Sequence, residues 1–199
     1  MSKFFRVASL AALAIVAATA TASAQATKSF GAVAGVDFAT ISGSDFRGTG
    51  SKTGFMGGLY YSIPASHALA IEPEVLYVNK GASDNNSNLK IGNNYIEIPV
   101  LLKYNFSANG GAYILAGPEV AFSVSCNLSD GSSSANCDTV GLNSKTTFGG
   151  MFGLGFQKNK FGLEGRFDFD FGDAFDAVGG GSVAGKNQVW AILLRYQIK

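Results

Sequence analysis

The stretch Asn94–Phe106, NYIEIPVLLKYNF, alternates between two kinds of side chain. Every second residue is apolar or aromatic, in the set Ile96, Ile98, Val100, Leu102, Tyr104 and Phe106. The intervening set carries the charges and is Tyr95, Glu97, Pro99, Leu101, Lys103 and Asn105. Because successive side chains of a β-strand point to opposite faces, the stretch predicts a strand with one apolar and one charged face. The alternation does not show whether the apolar face contacts lipid or lines the interior of a soluble barrel.

The beginning of the chain differs in composition from the rest. Lys3 and Arg6 precede an apolar run, Val7–Ala20, and the small residues 22–24, Ala-Ser-Ala, follow it. This order is typical of a secretory signal peptide. A membrane-anchor helix is the alternative, but the run is shorter than the roughly 20 residues that span a bilayer. We therefore predict a signal peptide at 1–24 and one domain at 25–199.

Composition restricts the class of that domain. Only 15% of the 199 residues are charged, and the formal net charge is +1, which does not indicate a nucleic-acid partner. No stretch after residue 25 is apolar enough over a sufficient length to predict a spanning helix. Any insertion into a membrane would therefore have to use strands.

Alternation like that of Asn94–Phe106 recurs along the chain. We predict eight strands, at about 30–41, 52–63, 68–80, 94–106, 112–125, 145–157, 161–171 and 187–199. The predicted loops 42–51, 81–93, 126–144 and 172–186 are long. The other connections between successive strands are short turns. This asymmetry is typical of an outer-membrane barrel, which has short periplasmic turns and long external loops.

Two kinds of barrel fit the alternation. A soluble lipocalin-like carrier points its apolar faces inward, and an outer-membrane barrel points them outward. The interior of an eight-stranded barrel is only wide enough for side chains to fill, and glycines such as Gly31, Gly54 and Gly149 leave room on the charged faces. A charge facing lipid costs about 2–4 kcal/mol at mid-bilayer, which explains why each predicted strand has a face without charges. These features favour the membrane barrel and leave the soluble periplasmic carrier as an alternative.

Four short motifs also occur in order: IEPEVLYVNKG at Ile71–Gly81, YIEIPVLLKY at Tyr95–Tyr104, AGPE at Ala116–Glu119 and GGMFGLG at Gly149–Gly155. Because of these motifs, the chain resembles the small outer-membrane β-barrel domain family often labelled "porin family protein". The resemblance covers essentially all of Phe30–Lys199. The resemblance implies an all-β, eight-stranded antiparallel up-and-down transmembrane barrel in the outer membrane. It implies membrane lipid and the barrel-insertion machinery as partners, and little about activity. Such chains usually end on an aromatic residue that the machinery recognises, whereas this chain ends YQIK.

The charged faces would line the lumen of such a barrel. The acids there are Asp37, Glu72, Glu74, Glu97, Glu119, Glu164, Asp168 and Asp170, and the bases are Lys80, Lys103, Arg166 and Arg195. Because unpaired buried charges are costly, we expect a hydrogen-bonded network with water. We expect Lys103 to pair with Glu72, Glu74 or Glu119. We expect Glu97 to rely on Lys80 or water.

Two functions fit this lumen. A polar plug would suit a barrel with a structural or surface-interaction role. A narrow cation or small-solute channel is the alternative, because acids outnumber bases eight to four. Catalysis is not indicated, since the single histidine, His67, falls in a predicted periplasmic turn, away from the loop serines. We predict no enzyme activity, cofactor or metal.

The two cysteines lie in the longest predicted loop. Cys126 and Cys137 flank residues 127–136, and an oxidising compartment permits them to pair. A disulfide there would stabilise the loop by about 2–3 kcal/mol. It would either staple the loop against proteolysis or preform a binding surface for an external partner. We expect a monomer that presents these loops outside the cell.

Overall fold

The computed structural model of the protein describes residues 28–44, 49–84, 90–107, 110–130, 132–177 and 182–199. The predicted signal peptide at 1–24 lies outside these residues. No helix in the described ranges is long and apolar enough to cross a membrane.

Eight long strands form the body of the described structure. They are β1 (Ser29–Ser42), β2 (Thr49–Pro64), β3 (Leu69–Asp84), β4 (Lys90–Asn105), β5 (Gly111–Ser129), β8 (Thr147–Lys158), β9 (Phe161–Asp170) and β12 (Lys186–Gln197). The shorter elements are β6 (Ser134–Asn136), a 3-10 helix (Cys137–Val140), β7 (Leu142–Ser144), β10 (Phe175–Ala177) and β11 (Ser182–Val183).

Strand β1 closes the barrel by pairing with both β2 and β12. Its Ala34 is in register with Gly57 on one side and with Leu194 on the other. Each remaining long strand pairs antiparallel with the next one along the chain. The result is a closed eight-stranded antiparallel up-and-down barrel, which confirms the predicted fold. Strand β6 extends β5 at its end, and β7, β10 and β11 form a separate small sheet.

The apolar faces of the strands point outward. On β4, Leu102 is 52% exposed, whereas Glu97 is completely buried. The same holds around the barrel, where the exposed apolar side chains include Leu59, Val75, Phe152, Leu163, Trp190 and Ile192. An apolar exterior around buried charges is the arrangement of a membrane barrel and the inverse of a soluble one. It excludes the soluble carrier.

The two ends of the barrel differ in their connections. One end, which we call the turn end, carries the connections 65–68, 106–110 and 159–160 and both termini of the barrel. The other, the loop end, carries 43–48, 85–89, 130–146 and 171–185. Of these connections, only 130–146 and 171–185 are long. The predicted loops 42–51 and 81–93 are therefore shorter than expected. Strands β2, β3 and β4 continue into those segments because their backbones still pair, as between Thr49 and Asp84.

A row of hydrogen-bonded polar side chains crosses four neighbouring strands near the loop end. The Nζ of Lys52 on β2 donates a hydrogen bond to Oδ1 of Asn79 on β3, whose Nδ2 donates to Oδ1 of Asn94 on β4. Asn94 Nδ2 then donates to Oγ of Ser125 on β5 at 2.8 Å. Because these groups need polar surroundings, the row indicates the outer boundary of the lipid-facing band.

Candidate functional site

The structure places every predicted lumenal charge inside the barrel. Asp37, Glu72, Glu74, Lys80, Glu97, Lys103, Glu119, Glu164, Arg166, Asp168, Asp170 and Arg195 are each at most 5% exposed. They divide into two groups along the barrel axis. The groups differ in the balance of acids and bases, and therefore in their chemistry.

The group nearer the turn end contains three acids and three bases among the described residues, and we call it the balanced layer. Its members are Glu72, Glu74, Lys103, Glu164, Arg166 and Arg195. Arg166 binds Glu74 through two nitrogens, Nη1 at 2.5 Å and Nη2 at 2.8 Å, and also contacts Glu164. Arg195 Nη2 lies 2.5 Å from Glu72 Oε2. Lys103 Nζ lies 3.9 Å from the same oxygen, one of the predicted positions for its partner.

Aromatic rings fill the space beside these charges. The guanidinium of Arg195 lies 3.4 Å from the ring centre of Tyr60, and Lys103 Nζ lies 4.0 Å from that of Tyr113. Tyr113 donates its hydroxyl proton to Glu164 Oε2 at 2.6 Å. Both rings lie over glycines, because a Cβ on Gly31 would meet Tyr60 and a Cβ on Gly155 would meet Tyr113. The lumen is therefore packed at this level.

A cavity of about 320 Å³ opens at the turn end, below the balanced layer. Lys103 and Gln157 line its inner part, and Lys103 Nζ donates to Gln157 Oε1 at 3.4 Å. His67 lies at the rim of this cavity. It is thus at the opposite end from the loop serines, as the sequence predicted.

The group nearer the loop end is unbalanced, and we call it the acidic chamber. It contains Asp37, Lys80, Glu97, Glu119, Asp168 and Asp170. Lys80 Nζ lies 2.7 Å from Glu97, 2.9 Å from Asp168, 3.6 Å from Asp170 and 3.9 Å from Glu119. Four acids of the chamber thus surround one ammonium, and the fifth, Asp37, interacts electrostatically with Lys52 and Lys80. Glu119 lies here and not beside Lys103.

Lys80 meets only part of the hydrogen-bonding capacity of the carboxylates in the acidic chamber. Within the described residues, Lys80 is the one base within 4 Å of Glu97, Glu119 and Asp168, and Asp37 accepts no hydrogen bond. In the balanced layer, Glu74 and Glu164 accept hydrogen bonds, and Glu72 pairs with Arg195. Glu97, Glu119 and Asp168 also each offer an oxygen within 4.8 Å of the other two. No sequence motif indicates this trio, because its members come from three different strands.

A cleft and a chain of polar side chains lie above the acidic chamber. The cleft has a volume of about 340 Å³ and is lined by Ser123, Val124, Ser125, Cys126, Asn136 and Ser144. Ser123 donates to Asn93 Oδ1 at 2.7 Å, and Asn93 Nδ2 donates to the Tyr95 hydroxyl oxygen at 2.7 Å. Asn187 Nδ2 contacts the same hydroxyl at 3.4 Å and donates to Asp170 Oδ2 at 2.7 Å. Polar groups thus connect the cleft to the chamber.

Buried apolar side chains form a cap at the loop end. They are Ile41, Ala82, Ile91, Cys137, Ala174 and Phe175, with Cys126 and Leu128 packed against them. A disulfide joins Cys126 to Cys137, whose Cα atoms are 5.4 Å apart, so the 3-10 helix is tied to β5. No motif of the sequence predicts this cap. The available signal was Phe175, a bulky aromatic residue inside a Gly-rich segment.

The tip of the β5–β6 hairpin is ordered by one carboxylate. Asp130 Oδ1 accepts hydrogen bonds from the backbone amides of Ser133 at 2.7 Å and Ser132 at 2.9 Å. Because these bonds favour the ionised form, they hold the pKa of Asp130 below its ordinary value. The exposed residues Asp130, Ser132 and Ser133 are therefore held in this arrangement at neutral pH.

One protein-family model matches the sequence, and several solved structures have a similar fold. The family model described as "Outer membrane protein beta-barrel domain" matches residues 23–176. The attachment invasion locus protein Ail of Yersinia pestis, solved with the heparin analogue sucrose octasulfate, is similar at 13% identity and a TM-score of 0.51, covering 87% of this chain and all of that one. Neisserial surface protein A is similar at 14% identity and a TM-score of 0.51, covering 86% and 99%. At such identities the likeness shows the fold alone. No protein of curated function matches the sequence.

Proposed function

Since the chain belongs to the outer membrane protein beta-barrel domain family and is an outer-membrane protein, as predicted, we propose that it is a plugged barrel that presents its loop end to a macromolecular partner outside the cell. The lumen supports the first half of this proposal, and the cap and hairpin support the second.

The observation that carries the plug is a pair of ion bridges across the full width of the barrel. Strands β3 and β9 are separated by three long strands in either direction around the ring. Glu74 on β3 binds Arg166 on β9, and Lys80 on β3 binds Asp168 on β9. A solute that passed through the lumen would have to break both bridges. Breaking a buried ion pair costs about 3–5 kcal/mol, which opposes steady conduction.

The loop end has the features of a preformed recognition surface. The disulfide and the buried cap hold the segment from β5 to β7 in one arrangement, and the Asp130 turn orders its exposed tip. A surface that is ordered before binding loses less conformational entropy when a partner binds. Ail, which shares the fold, is described in complex with a sulfated sugar analogue. That precedent supports a recognition role at the exterior and does not define the chemistry of the partner here.

A narrow cation channel is the second candidate, and the excess of acids in the acidic chamber favours it. Recording from planar bilayers distinguishes the two. We expect the wild-type protein to give no stable conductance steps. We expect an R166A/R195A variant, which lacks the two largest side chains of the balanced layer, to conduct. Stable cation-selective steps from the wild-type protein would overturn the plug.

The recognition role requires its own experiment. Intact cells that produce a variant with an epitope inserted after Ser132 should bind the matching antibody, because the hairpin tip faces outward. Adhesion of wild-type cells to host cells or matrix should then be lost when residues 130–135 are replaced by a short Gly-Ser linker. Comparable adhesion by both strains would refute the role of this surface. A heat-modifiability gel checks that both barrels are folded.

A further inference from the structure

The two halves of the lumen differ in charge. The balanced layer has equal numbers of acids and bases, whereas the acidic chamber, within the described residues, holds five acids and one fully buried base, Lys80, with the half-buried Lys52 beside Asp37. Buried carboxylates of this kind need positive charge or hydrogen-bond donors. Lys80 supplies only part of that requirement.

The oxygens left over in the acidic chamber suit a metal ion. Lys80 Nζ lies closest to one oxygen of each neighbour, Oε1 of Glu97, Oδ2 of Asp168 and Oε1 of Glu119. The second oxygen of each carboxylate is also buried, and Glu119 forms a side-chain hydrogen bond with Asp168. Calcium ligands lie about 2.3–2.6 Å from the ion, so ligands on opposite sides are about 4.6–5.2 Å apart. The 4.8 Å limit within the Glu97, Glu119 and Asp168 trio is compatible with one shared ion.

Asp37 provides an independent indication from another strand. Its side chain on β1 is completely buried, and neither of its oxygens has a hydrogen-bond partner in the described structure. Its carboxylate interacts electrostatically with Lys52, then with Lys80 and with Asp168, so it lies at the edge of the acidic chamber. It adds negative charge beside the acidic chamber, where Lys52 and Lys80 are the bases that act on it among the described residues.

A chain of hydrogen-bonded polar side chains links the loop end to the acidic chamber. The cleft at the loop end leads through Asn93, Tyr95 and Asn187 to Asp170. In the other direction, Arg166 and Arg195 with Tyr60 close the lumen. The acidic chamber is therefore connected to one end of the barrel and blocked at the other.

We propose that the acidic chamber binds a hard divalent cation, of the class of Ca²⁺ and Mn²⁺, which enters from the loop end and does not pass through. Carboxylate oxygens are the ligands that such ions prefer. Glu97, Glu119 and Asp168 are the ligands, and Asp37 and Asp170 add negative charge around them. This site is separate from the recognition surface and does not depend on an external partner.

The test uses Mn²⁺ as the probe and the barrel refolded in detergent. After treatment with EDTA, the protein is titrated with Mn²⁺, and the electron paramagnetic resonance signal of free Mn²⁺ measures binding. We expect stoichiometric binding that Ca²⁺ displaces. An E119Q/D168N variant keeps the shape of both side chains and should bind at least about tenfold more weakly. The matched control E72Q removes a carboxylate from the balanced layer and should bind like the wild type.

Two results would overturn the site. The first is a folded wild-type barrel that binds no Mn²⁺, in which case the carboxyls share protons instead. The second is binding that persists unchanged in E119Q/D168N, which would place the ion elsewhere. Heat-modifiability gels restrict the comparison to folded protein, and the wild-type titration decides the question even if a variant fails to fold.

Discussion

Replacing Arg166 by methionine tests whether the charges in the lumen brace the barrel. Arg166 is 2% exposed and forms two hydrogen bonds with Glu74, at 2.5 and 2.8 Å, from the opposite wall. Glu164 would keep its contacts to Arg195 and Tyr113 in the variant, but Glu74 would lose the only base it contacts among the described residues. Leaving one buried carboxylate unpaired costs about 3–5 kcal/mol. We therefore expect R166M to lower the free energy of unfolding by that amount.

Urea unfolding in lipid vesicles measures this loss. The single tryptophan, Trp190, is 63% exposed on the outer face, so its fluorescence reports when the barrel leaves the lipid. The double variant E74Q/R166M removes both charges and should recover most of the lost stability, because replacing a whole buried pair is often close to neutral. As a control, K145M removes the exposed Lys145–Asp176 pair and should change stability by no more than about 1 kcal/mol.

Two outcomes contradict this reasoning. If R166M costs less than about 1 kcal/mol, the bridge behaves like a surface pair and does not brace the barrel. If E74Q/R166M is as unstable as R166M, the loss comes from packing of the arginine side chain and not from the unpaired carboxylate.

Three further predictions concern other parts of the molecule. Reduction of the Cys126–Cys137 disulfide should lower local stability by about 2–3 kcal/mol and so increase proteolysis within 127–136. The barrel strands should stay resistant to the protease. Equal cleavage before and after reduction would contradict this prediction. I192R places a charge in the lipid-facing band and should cost about 2–4 kcal/mol in vesicles, whereas Q188R, nearer the loop end, should cost at most about 1 kcal/mol. The lowered pKa of Asp130 means that the hairpin tip is ordered above that pKa and loses order as the pH falls through it. The amide chemical shifts of Ser132 and Ser133 should follow this transition and become insensitive to acid in D130N.

Much of the fold could be predicted because strand alternation is local. The faces of Asn94–Phe106 are set by a period of two, so the buried position of Glu97 and the exposed position of Leu102 follow from the sequence. The loops at 42–51 and 81–93 were predicted too long, since the polar residues there pair as strand extensions. Composition alone cannot distinguish an exposed hairpin end from a loop.

The sequence by itself determined that the chain forms a barrel, which side chains face the lumen, and that acids outnumber bases there. Only the tertiary structure decided which charges meet. Glu74 contacts Arg166 from 92 positions away, and Glu119 joins Lys80 in the acidic chamber, not Lys103. The cap around Phe175 likewise depends on several loops at once. The reason is that side-chain direction is a property of each strand, whereas contacts across the lumen depend on the stagger and closure of all eight strands together.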